Sequence, residues 1–315
     1  MTTGYFVDCK PQPIYRCLYC KYDSFQESNV KVHVARKHEF APKPVRFEPH
    51  PMTNWRVTLA LLTWNNRETS MDTALSVVRE ADILKKCGCY TQIAWVDNGS
   101  TDGTRTNIRN VLNDNSTPYK SKLFDQNEGQ SVARNRLIDF ALAFQADWML
   151  MLDGDIVAIP YSVAAMLSYT IGQKNHKIGC IGLNPENCTR SISDLDVCQQ
   201  ALTITNDFVF PCTNLAWTQY GLFNCGVFRS GEIRFDENPV FLGPGWGFED
   251  NDLGIQITRA GYEMPFTSLM RYFHIRSTGL NNLDKTLAAK VFNARKKYIQ
   301  GKWANTRMEG LKSPV

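Results

Sequence analysis

From Trp55 onward, short apolar runs alternate with amphipathic stretches, and that alternation leaves the chain few architectures. Residues 56–63 (RVTLALLT) read as a buried strand, 70–86 as a helix, 93–96 (IAWV) as a second strand, and a further helix begins near Asp102. In 129–144, Ala133, Leu137, Phe140, Ala141 and Phe144 recur at helical spacing and form a stripe that would face a sheet. Residues 148–152 (WMLML) form a strand that ends in acidic residues. A repeating strand–helix order predicts an α/β fold, a mostly parallel sheet flanked by helices and joined by right-handed crossovers. Functional loops then gather at the carboxyl ends of the strands, where VDNGSTDGT (96–104) and DGD (153–155) both fall.

Composition divides the rest. Four prolines within 41–54 read as a stiff linker between residues 1–40 and a large domain over 55–280. Residues 281–315 form a C-terminal helical extension, in which a helix near 284–299 groups Leu287, Val291, Ala294 and Tyr298, with ArgLysLys at 295–297 beside them. The net charge of +4 is too small to argue for a polyanionic partner, although residues 1–50 hold eight Lys/Arg against five Asp/Glu. No stretch approaches the roughly 20 apolar residues of a membrane span, and no apolar leader is visible at the N-terminus. The ten cysteines lack the spacing of a disulfide framework, so the expected setting is a reducing, cytoplasmic compartment with no membrane contact.

Residues 1–40 carry a second, independent pattern. Cys17 and Cys20 are followed by twelve residues, then His33, four more residues, and His38. Two thiolates and two imidazoles at this spacing predict a closed tetrahedral Zn²⁺ site on a small ββα finger. Tyr15, Phe25 and Val30 stand near the positions of a finger's small core. In DNA-reading fingers the base contacts come from the helix start and its third and sixth positions, here Gln26, Asn29 and Val32. Gln and Asn pair with adenine but Val forms no hydrogen bond, so a protein-docking or purely structural finger stays open.

The large domain resembles the GT-A glycosyltransferases over about 56–278, with four motifs in the family's order. ThrTrpAsn at 63–65 resembles the opening strand that meets the nucleotide, and VDNGSTDGT the second-strand motif whose acid, here Asp97, accepts a hydrogen bond from uracil. Residues 126–135 (QNEGQSVARN) resemble the stretch beneath the diphosphate, which implies donor-side roles for Asn127 and Arg134. MLDGD at 151–155 is similar to the metal-holding motif, so Asp153 and Asp155, with His274 as third ligand, are expected to hold Mn²⁺ or Mg²⁺ on a UDP-sugar. GWGFEDND at 245–252 is similar to the acceptor motif of the galactosyltransferase and polypeptide N-acetylgalactosaminyltransferase branches. By that match Asp250 is the general base of an inverting reaction, with Trp246, Glu249 and Asp252 on the acceptor side.

Those branches are usually tethered in the Golgi by an N-terminal membrane helix, whereas this chain has a finger pattern there. Similar small enzymes of bacterial viruses glucosylate hydroxymethylated pyrimidines. The reading that unites both halves is a transferase acting on a 5-hydroxymethylpyrimidine in duplex DNA. A protein or glycan acceptor, with the finger docking a partner, is the alternative. A third reading is a zinc-finger nucleic-acid binder whose enzymatic domain has lost activity. The full set of Asp97, Asp153, Asp155, Asp250 and His274 argues against it.

Overall fold

The structure is a computed structural model. It describes residues 52–158, 160–172, 177–182, 220–245, 247–264 and 285–304, together with the backbone of 15–16, 23–24, 209–210, 266–267 and 272–274. Near the N-terminus, β1 (Tyr15–Arg16) pairs antiparallel with β2 (Asp23–Ser24). The two strands flank the Cys17–Cys20 pair in sequence. Cys17, Cys20, His33 and His38 themselves lie outside the described residues.

The large domain begins with β3 (Arg56–Thr63) and continues through α1 (Arg67–Lys86), β4 (Tyr90–Asp97), α2 (Thr104–Asn113), β5 (Tyr119–Leu123), α3 (Gln130–Ala143) and β6 (Trp148–Asp153). Seven of the eight residues of β3 are buried, as a central strand covered on both faces demands. A short β7 (Ile156–Ala158), α4 (Ser162–Gly172), β8 (Cys180–Gly182), β9 (Val209–Phe210) and β10 (Tyr220–Asn224) follow. Then come α5 (Glu249–Arg259), β11 (Phe266–Thr267), β12 (Tyr272–His274) and α6 (Lys285–Trp303).

The main sheet has the order β5-β4-β3-β6-β10-β8-β11-β9, and it is mixed rather than mostly parallel. The strands β5, β4, β3 and β6 are parallel, as the alternation predicts. β10 runs antiparallel to both β6 and β8. The crossover through α4 sets β8 two strand positions from β6, and a later strand entering from the other direction fills the gap. Two apolar layers cover the sheet: α1 contributes Ala74, Val77, Ala81 and Leu84 to one, and α3 contributes Ala133, Leu137, Ile138 and Ala141 to the other.

One buried acid ties the first layer together. Glu80 of α1, fully buried, accepts hydrogen bonds from the amides of Tyr161 (2.9 Å) and Val163 (3.0 Å), so it closes the start of α4 from outside that helix. Burial raises its pKa from 4.5 to about 7, outweighing the two amides and the neighbouring Arg79, which act the other way. The folded chain therefore holds this proton more tightly than the unfolded chain. That stabilisation is fully present below about pH 4.5 and is lost as pH rises through about 7. Thermal melts of Glu80→Gln between pH 5 and 8 are expected to be flatter than those of the wild type, whose midpoint falls over that interval.

Candidate active site

The parallel strands end at an open cleft, lined by Trp64 and Asn66 after β3, Asn98 after β4, Asn127 and Gln130 at the start of α3, and the Asp153–Gly154–Asp155 turn after β6. Gly245 closes one side. This is where a doubly wound sheet with loops at its carboxyl edge binds ligands.

The cleft is pre-set by local hydrogen bonds. Asn66 accepts from the amide of Trp64 at 2.8 Å, and its own amide donates to Thr104 Oγ1 at 2.8 Å, so the β3 and β4 loops are stitched together. Asn98 Nδ2 donates to Asn127 Oδ1 at 3.0 Å and Asn98 Oδ1 accepts from the Glu128 amide, fixing the α3 entry to the β4 loop. In the DGD turn the Gly154 carbonyl accepts from the hydroxyls of Thr69 (3.1 Å) and Thr73 (3.0 Å). A Cβ on Gly154 would come within 2.8 Å of Asn66 Oδ1, so a side chain between the two aspartates would push Asn66 off the Trp64 amide.

Behind the cleft stands Asp97, fully buried. Its Oδ1 accepts from the Ser100 amide (2.9 Å) and Arg105 Nε (2.6 Å), and its Oδ2 from the hydroxyls of Thr63 (2.9 Å) and Ser100 (2.6 Å). A nucleobase N–H reaches this carboxylate only in exchange for one of those donors. Thr63 also accepts from Trp95 Nε1, and Asn65 binds the 100–101 turn through the Ser100 hydroxyl and the Thr101 amide. Thr63, Asn65 and Asp97 thus build the frame of the cleft, while Trp64, Asn127, Asp153 and Asp155 form its lining.

The most concentrated electrostatics surround Arg134. Its side chain is 3% exposed. Nη2 meets Asp153 Oδ1 at 3.1 Å, and Nη1 meets Asp250 Oδ1 at 3.1 Å and Glu249 Oε1 at 3.5 Å. Burial opposes the charge, yet Asp153, Asp250 and Glu249 together raise the guanidinium pKa above its ordinary value. Arg134, expected against the donor, is therefore the bolt between the DGD turn and the first turn of α5. The helix amino terminus also favours the negative charges of Glu249 and Asp250.

Asp252, expected on the acceptor side, is turned the other way. It is fully buried and accepts from Trp303 Nε1 at 2.8 Å, Lys302 Nζ at 2.8 Å and Gln256 Nε2 at 2.8 Å. Trp246 and the His274 side chain lie outside the described residues. The backbone of His274 is described, and it pairs with Ile156, the residue that follows Asp155. Five residues of the site received no functional role from the sequence: Asn66, Asn98, Arg105, Gln130 and Arg295. Asn98 and Gln130 lie inside quoted motifs and Asn66 and Arg105 adjoin them, whereas Arg295 read only as a charge beside the apolar stripe of the C-terminal helix.

Among the described residues no helix is long and apolar enough to cross a membrane. No curated protein sequence matches the chain. The solved structures it resembles include the mannosyltransferase PcManGT from Pyrobaculum calidifontis in complex with GDP-Man and Mn²⁺ (14% identity, 90% of this chain and 73% of that one, TM-score 0.57). S. aureus TarS 1-349 in complex with UDP-GlcNAc is similar at 14% identity over 80% of this chain and 68% of that one, with a TM-score of 0.54. GalNAc-T7 with UDP, GalNAc and Mn²⁺ shares 14% identity over 71% of this chain and 44% of its own, with a TM-score of 0.52. At this identity the likeness shows the fold. Residues 63–185, which run from the end of β3 past the DGD turn, match the family described as Glycosyl transferase family 2, so the chain carries a glycosyltransferase domain, and its fold is the GT-A fold.

Proposed function

We propose that the chain is a metal-dependent, inverting transferase that moves a hexose from a UDP-sugar to a hydroxyl group, with a 5-hydroxymethylpyrimidine in DNA as acceptor. The observation that carries the chemistry is Arg134, which binds Asp153 of the cleft and Asp250 of α5 through one buried guanidinium. It sets the metal-side carboxylate and the base at fixed separation before any substrate arrives, and such pre-orientation is a large part of catalysis. Asp250 takes the proton of the acceptor hydroxyl as that oxygen attacks the anomeric carbon. Trp64 and the asparagines of the cleft hold the nucleotide.

The acids fit a divalent ion. Asp153, Asp155, Glu249 and Asp250 bring four carboxylates to the region, and Arg134 and Arg295 bring two guanidiniums, so negative charge is in excess. Hard oxygen donors one residue apart suit Mn²⁺ or Mg²⁺. Asp153 and Asp155 would hold the ion, with His274 as the third ligand, and the ion would offset the charge of the departing diphosphate. PcManGT and GalNAc-T7 each carry Mn²⁺ in their solved complexes, which supports the same requirement.

The acceptor reading rests on the N-terminal pattern. The Cys17, Cys20, His33 and His38 spacing calls for Zn²⁺, and the antiparallel pairing of β1 with β2, which flank the two cysteines in sequence, is compatible with the two strands of a ββα finger. A protein or glycan acceptor is the second reading, favoured by the GWGFED likeness. The test incubates the full chain with a panel of UDP-sugars and Mn²⁺ on hydroxymethylated and plain duplex DNA, then digests the DNA for mass spectrometry. A hexose on the hydroxymethylated nucleoside alone is expected. Removing residues 1–50 should raise KM for long duplexes far more than for short oligonucleotides, because the finger supplies non-specific phosphate contacts. Untouched DNA, with a protein substrate glycosylated by the same preparation, would hand the acceptor to the second reading.

A further inference from the structure

The C-terminal helix α6 packs directly on the loop that leads into α5. Gly245 and Gly247, both at positive φ, lie under it: a Cβ on Gly245 would come 2.8 Å from Val291 Cγ1, and one on Gly247 would come 3.0 Å from the Phe292 ring. Phe248, held at φ 70°, sets its ring against Phe292 with centroids 4.9 Å apart. At the centre of this contact is Arg295, whose side chain is 1% exposed. Its Nε donates to the Val240 carbonyl at 3.1 Å and its Nη2 to the Phe241 carbonyl at 3.3 Å. Nη1 lies 3.7 Å from Glu249 Oε2, an ion contact on an oxygen that has no hydrogen-bond partner among the described residues.

A buried guanidinium is a costly way to dock a helix, because desolvating it has to be offset by its partners. A leucine would supply the apolar contact without that cost. What Arg295 adds is a grip on Glu249, whose other oxygen faces Arg134 at 3.5 Å, and Arg134 in turn binds Asp250 at 3.1 Å. The chain of contacts thus runs from α6 through Glu249 and Arg134 to the base.

We infer that Arg295 is a positioning residue of the transfer site, acting through Glu249 and Arg134 on Asp250, and that α6 is a working part of the active site. This rests on the reading of Asp250 as the base. Misplacing a catalytic group by about 1 Å from a remote substitution can cost ~10²-fold.

The experiment uses the full chain with UDP-sugar and Mn²⁺, with water as the acceptor, and reads donor hydrolysis beside UDP affinity by calorimetry. Arg295→Met should lower kcat for hydrolysis by about 100-fold and leave UDP affinity unchanged. Arg295→Lys should recover part of that loss, because lysine keeps a charge toward Glu249 but cannot also serve both carbonyls. Tyr298→Phe cuts the hydrogen bond from the same helix to Asp236 (2.8 Å) and should lower Tm without lowering kcat. Wild-type hydrolysis by Arg295→Met would overturn the inference, as would a UDP affinity that falls in step with rate, or an equal kcat loss in Tyr298→Phe. If Arg295→Met does not fold, Arg295→Lys is compared with Arg295→Gln: lysine faster at equal UDP affinity supports the inference, and equal rates overturn it. Asp250→Asn, run alongside, separates the two failures. Normal hydrolysis by that variant defeats both the assignment of the base and the inference, whereas normal hydrolysis by Arg295→Met alone defeats only the inference.

Discussion

Asp250→Asn is expected to keep the fold and the UDP affinity of the wild type while slowing transfer by ~10²–10⁴-fold, the usual cost of removing a general base. Asparagine has nearly the same shape, and its amide oxygen can still accept from Arg134 Nη1, now at 3.1 Å from Asp250 Oδ1. Arg134 keeps two other carboxylates, Asp153 and Glu249, so its charge stays compensated. What is lost is basicity at one atom. The contrast is Arg134→Met, which would leave three carboxylates crowded without their shared cation and disturb donor and acceptor sides together. A kcat for Asp250→Asn within a few-fold of wild type, at unchanged KM for donor, would mean that no base acts here and would move a retaining course ahead.

The parts of this site that were legible in the sequence are those where backbone and chemistry make the same demand. The strand at 56–63 is buried on both faces and reads as a nearly continuous apolar run, broken between Val57 and Leu62 only by Thr58, and its limits match those observed. The strand around 93–96 is in fact Tyr90–Asp97, and its early residues were missed because they are polar: Gln92 is buried, with its amide spent on Thr58 Oγ1 and the Phe140 carbonyl. The place of the DGD turn was legible because it closes the apolar run of β6 at the strand's carboxyl end, where the cleft lies. Asp252 looked like a third site acid of the GWGFEDND motif, since adjacency in sequence does not tell which face of a short helix a side chain takes.

The C-terminal helix shows the limit most clearly. Periodicity put Leu287, Val291, Ala294 and Tyr298 inward and Arg295 at the side. The observed face is rotated: Leu287 is 50% exposed, while Arg295 and Ile299 are buried. Hydrophobic spacing assigns an arginine to the surface because it cannot see a partner 46 positions upstream, and Glu249 is that partner. Binary pattern fails where a polar network, and not an apolar stripe, decides which side of a helix faces in.

Asp155→Ala is expected to abolish turnover and also to weaken UDP binding, which sets it apart from Asp250→Asn. Asp155 lines the cleft on the far side of Gly154 from Asp153, and the turn between them is fixed by Thr69 and Thr73. Asp153 already shares Arg134 with two carboxylates of α5, so part of its negative charge is compensated within the protein. Removing Asp155 takes away one of the proposed metal ligands, so the cation that would offset the diphosphate would be held less tightly. Because a pyrophosphate group must be neutralised both to bind and to leave, ground state and transition state suffer together. Calorimetry with UDP and Mn²⁺ should show at least a tenfold loss of affinity, a difference of about 1.4 kcal/mol, and donor hydrolysis should fall below detection. Thermal melting in the absence of ligand should change little, because Asp155 is half-buried and lies outside both apolar layers. Full transfer activity by the wild type in excess chelator, or normal UDP affinity in Asp155→Ala, would show that the cleft manages the diphosphate without a metal at this turn.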